Sequence, residues 1–249
     1  FTFMPRNIGN AAEALILSLG KKRLLMSGTI YSKELFCRRL GLDPENVFFL
    51  RLSTTFPAKN RAVVFKDRYL TDNSKRGWDT PGTFDRMVDN LRHVLNVFHD
   101  VRGLIHAPSY TSAVDIARRL SDDRIITHTP ENAITVIEDF FENSAPNAVL
   151  ISPVCQQGVD FKYDRARFQV IVRVPYLNTG DAFIRDMVKN NFNLYNYKAL
   201  VVFGQMLGRP VRAPDDIGTT VLLDSRFKKF ISDHRTALGR DFFDALIAK

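Results

Sequence analysis

The sequence has almost no cysteine and no long apolar run, and both absences narrow the classes of protein it can belong to. Only Cys37 and Cys155 occur among 249 residues, and they form no CxxC pair. This excludes a Cys₄ zinc or iron–sulfur site built within the chain, and it fits a reducing, cytoplasmic compartment. No stretch approaches the roughly 18 apolar residues that a membrane span needs, so we predict no membrane partner.

Several catalytic signatures are absent as well. The sequence contains no G-x-x-x-x-G-K-[ST] loop, no D-E-x-H run, no glycine-rich dinucleotide fingerprint and no nucleophile elbow. A small-molecule α/β enzyme therefore stays open only as a minor alternative. The first residues, FTFMPRNIGN, have neither an initiator Met nor a signal-peptide pattern, so we expect the chain to be part of a longer polypeptide.

Positive charge is in excess. The chain has 35 Lys and Arg against 27 Asp and Glu, which gives a formal net charge of +8. Lys and Arg bind phosphates and steer polyanions, so this balance is compatible with nucleic acid as a partner. A soluble basic protein without such a partner explains the charge equally well.

Short apolar runs alternate with helical patterns along the chain. The apolar runs predict strands at 23–28, 103–107, 124–127, 148–152, 168–174 and 219–223. Apolar residues at three- and four-residue intervals predict helices at 10–19, 32–40, 83–98, 109–120, 131–143, 181–190, 194–207 and 240–247. The helix at 131–143 has Thr129 as its expected N-cap and Pro130 as its first residue. This alternation predicts an α/β fold with a mostly parallel sheet and helices on both faces.

The polar segment 67–82 interrupts this alternation and has no clear period. It is long for a loop in a compact domain, so we expect it to be functional or mobile. Trp78 within it is interpreted as a local packing anchor, with a base-stacking platform as the alternative.

Polar residues follow two of the predicted strands at the sheet edge where open α/β proteins bind ligands. Ser27 and Thr29 come after residues 23–26, at the end of the strand predicted at 23–28. Ser109, Tyr110 and Thr111 follow the strand at 103–107 and open a helix. A cluster of hydroxyl groups at that position either caps the helix or binds a phosphate, and the sequence leaves both open.

The strand at 148–152 is followed by a third candidate segment. Gly158 lets the backbone approach a ligand closely, and Asp160 can accept a hydrogen bond from a ribose hydroxyl. A structural turn explains Gly158 equally well. His106 and His128 follow or lie within apolar strands, so a structural role is the simpler interpretation of both.

A fourth candidate segment has the spacing Q-x-x-G-R-x-x-R, formed by Gln205, Gly208, Arg209 and Arg212. Pro210 predicts that the preceding helix ends at about 208, so that the two arginines project from its end. Guanidinium groups suit bidentate contact with phosphate oxygens, and a Gln can orient a water. The alternative is that the arginines pair with Asp215 and Asp216 on the surface.

Taken in order, four segments resemble motifs of the XPD/DinG-like superfamily-two DNA helicases, over residues 20 to 245. LLMSGTI resembles motif III, GLIHAPSY is similar to motif IV, and SPVCQQGVDFKYDRARFQVIVRVPYLNTGD resembles motif V with the strand after it. YNYKALVVFGQMLGRPVRAPDDIGTTVLLDSRF resembles motif VI. The resemblance implies that residues 31–249 form a RecA-like C-terminal motor domain and that residues 1–30 are the tail of the first motor domain.

The resemblance also implies an ATP-driven motor that moves along single-stranded or forked DNA, with ATP in a cleft between two RecA-like domains. It implies that Arg209 and Arg212 act as arginine fingers on the γ-phosphate, and that Gln205 poises the attacking water or senses the phosphate. It implies that Gly158 and Asp160 lie at the cleft.

The remaining roles follow from the same resemblance. Ser109, Tyr110 and Thr111 would lie beside the DNA backbone, and Ser27 and Thr29 would couple hydrolysis to domain movement. ATP and Mg²⁺ would both need the first motor domain, which also carries the family's iron–sulfur cluster where one is present. We therefore predict no metal site in this chain and no ATP hydrolysis by the chain alone.

Two positions depart from the family's pattern. Gln157 stands where motif V usually has an acidic residue, and Pro210 is less usual within motif VI. Together with the missing first half, Gln157 keeps open the alternative of a non-catalytic nucleic-acid-binding or regulatory module that retains the helicase fold.

Overall fold

The chain forms two compact units in a computed structural model that describes residues 8–15, 17–156 and 158–247, without the side chains of residues 10, 11 and 13. The helical unit comprises Phe1–Ser53 and Tyr176–Gly204, and the sheet unit comprises Thr54–Pro175 and Gln205–Lys249. This division does not test the predicted domain boundary at residue 30, which stays a prediction.

A parallel sheet forms the centre of the sheet unit. Its strands are β1 Val63–Val64, β2 Gly103–His106, β3 Ile125–Thr127, β4 Val149–Ser152, β5 Phe168–Ile171, β6 Thr219–Leu222 and β7 Leu246–Ile247. They pair in the order β3-β4-β2-β5-β6-β1-β7, and every pairing is parallel. The predicted parallel α/β architecture is confirmed.

The described residues of the two units contain ten helices. They are α1 Gly9–Leu15, α2 Lys33–Leu40, α3 Lys75–Trp78, α4 Thr83–Val97, α5 Tyr110–Leu120, α6 Ala133–Glu142, α7 Ala182–Asn190, α8 Phe192–Leu207, α9 Phe227–Asp233 and α10 Arg235–Ala245. In the part of the chain that the structure describes, none is long and apolar enough to cross a membrane.

The sheet is buried on both faces because successive side chains of a strand point to opposite sides. Ile105 and Ile151 lie in a core that also contains Leu91 of α4 and Ile116 of α5. Leu104 and Leu150 lie in a second core with Phe140 of α6. Two-sided burial explains why the central strands read as continuous apolar runs rather than as alternating patterns.

The predicted strand at 23–28 is wrong. Residues 23–28 form no strand, and Leu24 and Met26 are 80% and 83% exposed. A strand needs a neighbour to satisfy its backbone N–H and C=O groups, and apolar composition alone does not supply one.

Three predicted helices differ from the observed ones. Within the helix predicted at 10–19, α1 ends at Leu15, and Leu17–Leu19 form a 3₁₀ helix. The helix predicted at 131–143 begins only at Ala133 with Asn132 as its N-cap, so Thr129 and Pro130 lie before it, and the Thr129 N–H donates to Asn132 Oδ1 at 2.8 Å. The helix predicted at 240–247 is the second half of α10, which Gly239 interrupts with a φ of +69°. Its last two residues belong to β7 instead.

The segment 67–82 is ordered around Trp78. The indole Nε1 donates to Asn73 Oδ1 at 3.1 Å, and the Arg173 guanidinium lies 4.2 Å from the ring centroid. Phe84 packs edge-on against the same ring. Trp78 is therefore a local packing anchor, as we interpreted it from the sequence.

Candidate functional site

The candidate residues of the sheet unit gather at the carboxyl ends of the strands. The start of α5 follows β2, His128 follows β3, and the loop 153–160 follows β4. Parallel pairing puts all of these strand ends at one edge of the sheet, which is the usual ligand-binding edge of such folds.

An open cavity of about 490 Å³ lies at this edge. Its lining residues are Gly158, Val159, Asp160, Lys162, Arg209 and Arg212. Four of the predicted site residues therefore meet in one place. Lys162 was not predicted, and its only signal in the sequence is its position two residues after Asp160. Gln157 lies outside the described residues.

Arg209 does not project from the helix end as the sequence predicted. Its residue is only 6% exposed, and its Nε donates to the Gln156 carbonyl at 3.1 Å while Nη1 donates to the Val159 carbonyl. Burial lowers the pKa of this guanidinium, and the charge of Arg212 lowers it further. Arg209 therefore holds the loop 153–160 while it lines the cavity.

Arg212 is the more accessible of the two arginines. Its side chain is 41% exposed, and its Nε lies 3.6 Å from Asp160 Oδ1. Asp216 is buried, accepts the Arg212 backbone N–H at 3.2 Å and pairs with Arg167 at 3.2 Å. The surface pairing with Asp215 and Asp216 that the sequence left open is therefore not what these side chains form.

Gln205 lies in the last turn of α8, which ends at Leu207 as predicted. Its Oε1 is buried and has no hydrogen-bond partner among the residues that the structure describes. A buried acceptor without a partner is costly, so it fits a ligand or a water that donates to it. Gln205 is not one of the cavity-lining residues.

The hydroxyl cluster at the start of α5 is a capping box. Ser109 Oγ accepts the Ser112 N–H at 3.2 Å, and Ser112 Oγ accepts the Ser109 N–H at 2.9 Å. Capping therefore uses the Ser109 hydroxyl, whereas Thr111 is exposed and Tyr110 is half-buried.

Polar side chains are also buried beneath this edge. His106 Nε2 lies 2.9 Å from Gln169 Oε1, and Gln169 Nε2 donates to the Met206 carbonyl and to Thr220 Oγ1, each at 2.8 Å. Burial lowers the pKa of His106 to about 4. Burial also raises the pKa of Cys155 to about 11, so this thiol is not a nucleophile at neutral pH.

Ser27 and Thr29 belong to the helical unit. Their hydroxyl oxygens lie 3.3 Å apart, and the Thr29 N–H donates to Ser27 Oγ at 3.3 Å. Across the described ranges of both units, no three His, Cys, Asp or Glu side chains come together as a metal site.

Comparison with known proteins points to one family. A model of the Helicase C-terminal domain family matches residues 93–240. The ATP-dependent DNA helicase XPD of Sulfolobus acidocaldarius is 25% identical over 228 aligned residues, which cover 82% of this chain and 39% of that protein. The chain thus spans well under half the length of this relative.

Solved structures share the fold. A structure described as an XPD helicase has a TM-score of 0.59 at 20% identity, and the match covers 90% of this chain and 42% of that one. Saccharomyces cerevisiae Dbp5 bound to RNA and ADP–BeF₃ has a TM-score of 0.54 at 12% identity, covering 98% of this chain and 56% of that one.

Proposed function

The chain belongs to the helicase C-terminal domain family, and from that premise we propose that it is the C-terminal half of an ATP-dependent DNA helicase. The RecA-like fold of such a domain, predicted from the sequence, is confirmed by the parallel sheet and its solved neighbours. The activity, substrate and partners of the complete protein are proposals, because the chain spans only part of its relatives.

The observation that carries the proposal is the cationic cavity. Its lining includes three cationic side chains, those of Arg209, Arg212 and Lys162. The Asp160 carboxylate lies between two of them, with Oδ1 3.6 Å from Arg212 Nε and Oδ2 3.9 Å from Lys162 Nζ. Three cations beside one carboxylate suit a nucleotide, whose phosphates pair with the cations and whose ribose hydroxyls donate to the carboxylate.

The two arginines take different parts in this proposal. Arg212 is the exposed guanidinium, and we assign it the contact with the transferring phosphoryl group. The bonds of Arg209 to the loop 153–160 use two of its five donor N–H groups, so it can hold the loop and still donate into the cavity. Gln205 Oε1, which has no hydrogen-bond partner in the described part of the chain, fits an acceptor that orients the attacking water.

ATP supplies the free energy of the motor, and this chain contributes only part of its binding site. The residues here fit the phosphates but offer no carboxylate cluster for Mg²⁺ within the described ranges. We propose that the magnesium ligands and the phosphate-binding loop come from the first motor domain. The isolated chain is then expected to have no ATPase activity, since two main parts of the phosphoryl-transfer machinery lie elsewhere.

The remaining assignments concern DNA and the first motor domain. We assign Tyr110 and Thr111, with the capping Ser109, to the backbone of single-stranded DNA. Ser27 and Thr29 are assigned to coupling between the motor domains. The exposed apolar side chains of residues 24–26 support the view that residues 1–30 belong with the first motor domain.

The coding sequence upstream of the Phe1 codon provides the first test. An in-frame P-loop and acidic motif would support the proposal. A nearby start codon would favour the second candidate, a non-catalytic nucleic-acid-binding module. The bonds of Arg209 to loop carbonyls favour that second candidate, because they give this arginine a structural use that needs no nucleotide.

The decisive test is the turnover of the complete motor, meaning this chain together with its first motor domain. An arginine finger is worth about 10³–10⁵-fold in rate, so Arg212→Ala should lower kcat by that order and leave DNA affinity unchanged. Arg240→Ala is the matched control, because the Arg240 side chain is 91% exposed, pairs only with the exposed Asp244 in the described structure and does not line the cavity. Near-normal DNA-stimulated turnover of Arg212→Ala would contradict the assignment.

Arg209→Ala should lower turnover as well, and in addition it should destabilise the fold. Its removal leaves the carbonyls of Gln156 and Val159 without their donor, which costs about 2 kcal/mol. Thermal unfolding of this chain separates the two arginines, because Arg212→Ala breaks only a solvated ion pair and should leave the melting temperature nearly unchanged.

A further inference from the structure

Ser152, the last residue of β4, is completely buried, and its hydroxyl group has a full set of hydrogen bonds. Ser152 Oγ accepts the backbone N–H of Val154 at 3.2 Å and of Cys155 at 3.3 Å. It also lies 2.8 Å from His128 Nε2. A hydroxyl has two lone pairs and one proton, so its proton is the one left to donate to His128.

The second hydrogen bond of the His128 imidazole leads to the same donor and acceptor roles in the Ser152–His128 hydrogen bond. His128 Nδ1 lies 3.1 Å from the Thr129 carbonyl, which can only accept, so Nδ1 carries the ring proton. Nε2 is then the acceptor for the Ser152 hydroxyl. The two hydrogen bonds hold the buried ring in one orientation.

The ring of His128 also meets the start of α5. Its centroid lies 5.6 Å from that of Tyr110, with the two planes at 84°. Tyr110 is the first residue of α5 and stands next to the exposed Thr111. Displacement of the Tyr110 ring would therefore press on His128.

The loop 153–160 is held at both ends. Its first turn is fixed by the two N–H bonds to Ser152 Oγ, and its later part by the bonds of Gln156 and Val159 to Arg209. A continuous series of contacts thus runs from Tyr110 through His128 and Ser152 to the loop that lines the cavity, entirely within the sheet unit.

We propose that His128 and Ser152 are positioning residues that couple a nucleic acid strand at the start of α5 to the loop 153–160, and so to Arg209 and Asp160. The inference rests on the proposed function, because it assumes that the strand binds at Tyr110 and Thr111. It gives His128 a role beyond the structural one expected from the sequence. Neither residue touches substrate in this scheme.

The first experiment uses the wild-type chain alone. Hydrogen exchange of the Val154 and Cys155 amides is measured with and without oligothymidylate, at concentrations that fluorescence anisotropy shows to be saturating. We expect bound DNA to change the exchange rates of these two amides, whose acceptor is the Ser152 hydroxyl. Saturated binding with unchanged rates would overturn the coupling, whereas an absence of DNA binding would count against the proposed function and the coupling together.

The second experiment uses variants in the complete motor. His128→Phe keeps a ring against Tyr110 but removes the acceptor, and Ser152→Ala removes the hydroxyl. We expect each to lower the DNA stimulation of ATP turnover by about tenfold, a usual size for coupling between two sites, with DNA affinity retained. The double variant should be no worse than either single one, and Ser152→Thr should restore the stimulation.

His99→Phe, at an exposed histidine outside this series of contacts, is the matched control. If DNA stimulates ATP turnover of His128→Phe as strongly as that of the wild type, the inference is overturned. The proposed function stays intact in that case, provided that turnover still depends on Arg212. Additive losses of stimulation in the double variant would also overturn the inference, because two residues in one series of contacts should not contribute independently.

Discussion

His106 lies at the end of β2 with one ring nitrogen bonded to Gln169 and the other, Nδ1, without a partner among the described residues. Burial disfavours the charged imidazolium, and the nearby Arg209 guanidinium adds a smaller effect in the same direction. The pKa of His106 in the folded chain is therefore about 4, against 6.5 for an ordinary His. The side chain is uncharged at neutral pH and acts as a fixed donor to Gln169.

This shift predicts a pH dependence of stability. As the pH falls below 6.5, the unfolded chain binds a proton at His106 while the folded chain does not, so unfolding becomes easier until about pH 4. The contribution amounts to about 3 kcal/mol over that window. Denaturant unfolding at several pH values should show a flatter profile for His106→Gln than for the wild type.

The comparison needs a control because carboxylates titrate in the same range. His99→Gln removes an exposed histidine and should leave the wild-type profile in place. If the profiles of His106→Gln and the wild type stay parallel from neutral pH down to about pH 4, the buried imidazole is not what weakens the fold in acid.

At the scale of the elements, apolar runs predicted the strands of three or four residues, β2 to β6, which include the edge strand β3. β2, β4 and β5 are buried on both faces, so their sequences are continuous apolar runs. β1 and β7 were not predicted, because each has two residues and is defined only by its pairing. The run at 23–28 has the right composition but no partner strand among the residues that the structure describes, and composition alone does not identify a partner strand.

The pairing of β2 with β5 depends on a glycine. Gly103 stands opposite Phe168 in the parallel ladder, and a Cβ atom at Gly103 would overlap the Phe168 ring. That ring stacks on Phe98 with centroids 4.6 Å apart, so it has little room to move. The absence of a side chain at Gly103 is thus what lets this aromatic pair fill the core.

We therefore expect Gly103→Ala to destabilise the sheet unit by about 1–3 kcal/mol through overpacking. Urea unfolding followed by circular dichroism measures the loss. Gly28→Ala is the control, since a Cβ there meets nothing within 4 Å and should be neutral. Adding Phe168→Leu to Gly103→Ala should recover part of the loss, and failure to recover any would point to a backbone cause instead.

At the scale of the whole molecule, the order of motifs predicted which segments would meet, but not how. The loop 153–160 and the segment at 209–212 do line one cavity. The burial of Arg209, the presence of Lys162 and the link from Ser152 to His128 could not be predicted. They depend on side-chain contacts between segments that the strand order brings together, and no local pattern encodes those contacts.

Under the proposed function, the net charge of +8 and the position of α5 together predict how the chain should bind DNA. Contacts to backbone phosphates release counterions and carry no sequence information, so binding should be weak, insensitive to sequence and sensitive to salt. With about three to six phosphates contacted, the logarithm of the affinity should fall with the logarithm of salt at a slope of about −2 to −4. Anisotropy titrations with oligothymidylate and a mixed sequence measure both properties.

A pair of charge variants tests where the strand lies. Thr111→Glu puts a negative charge at the exposed start of α5, where the helix dipole tolerates it, and should weaken binding at low salt. Asn143→Glu makes the same change at the end of α6, which leads to the amino end of β4 and so to the opposite edge of the sheet. If the two variants weaken binding equally, the charge of the chain attracts DNA without a preferred edge. A larger effect of Thr111→Glu, lost at high salt, locates the strand where coupling through Tyr110 requires it.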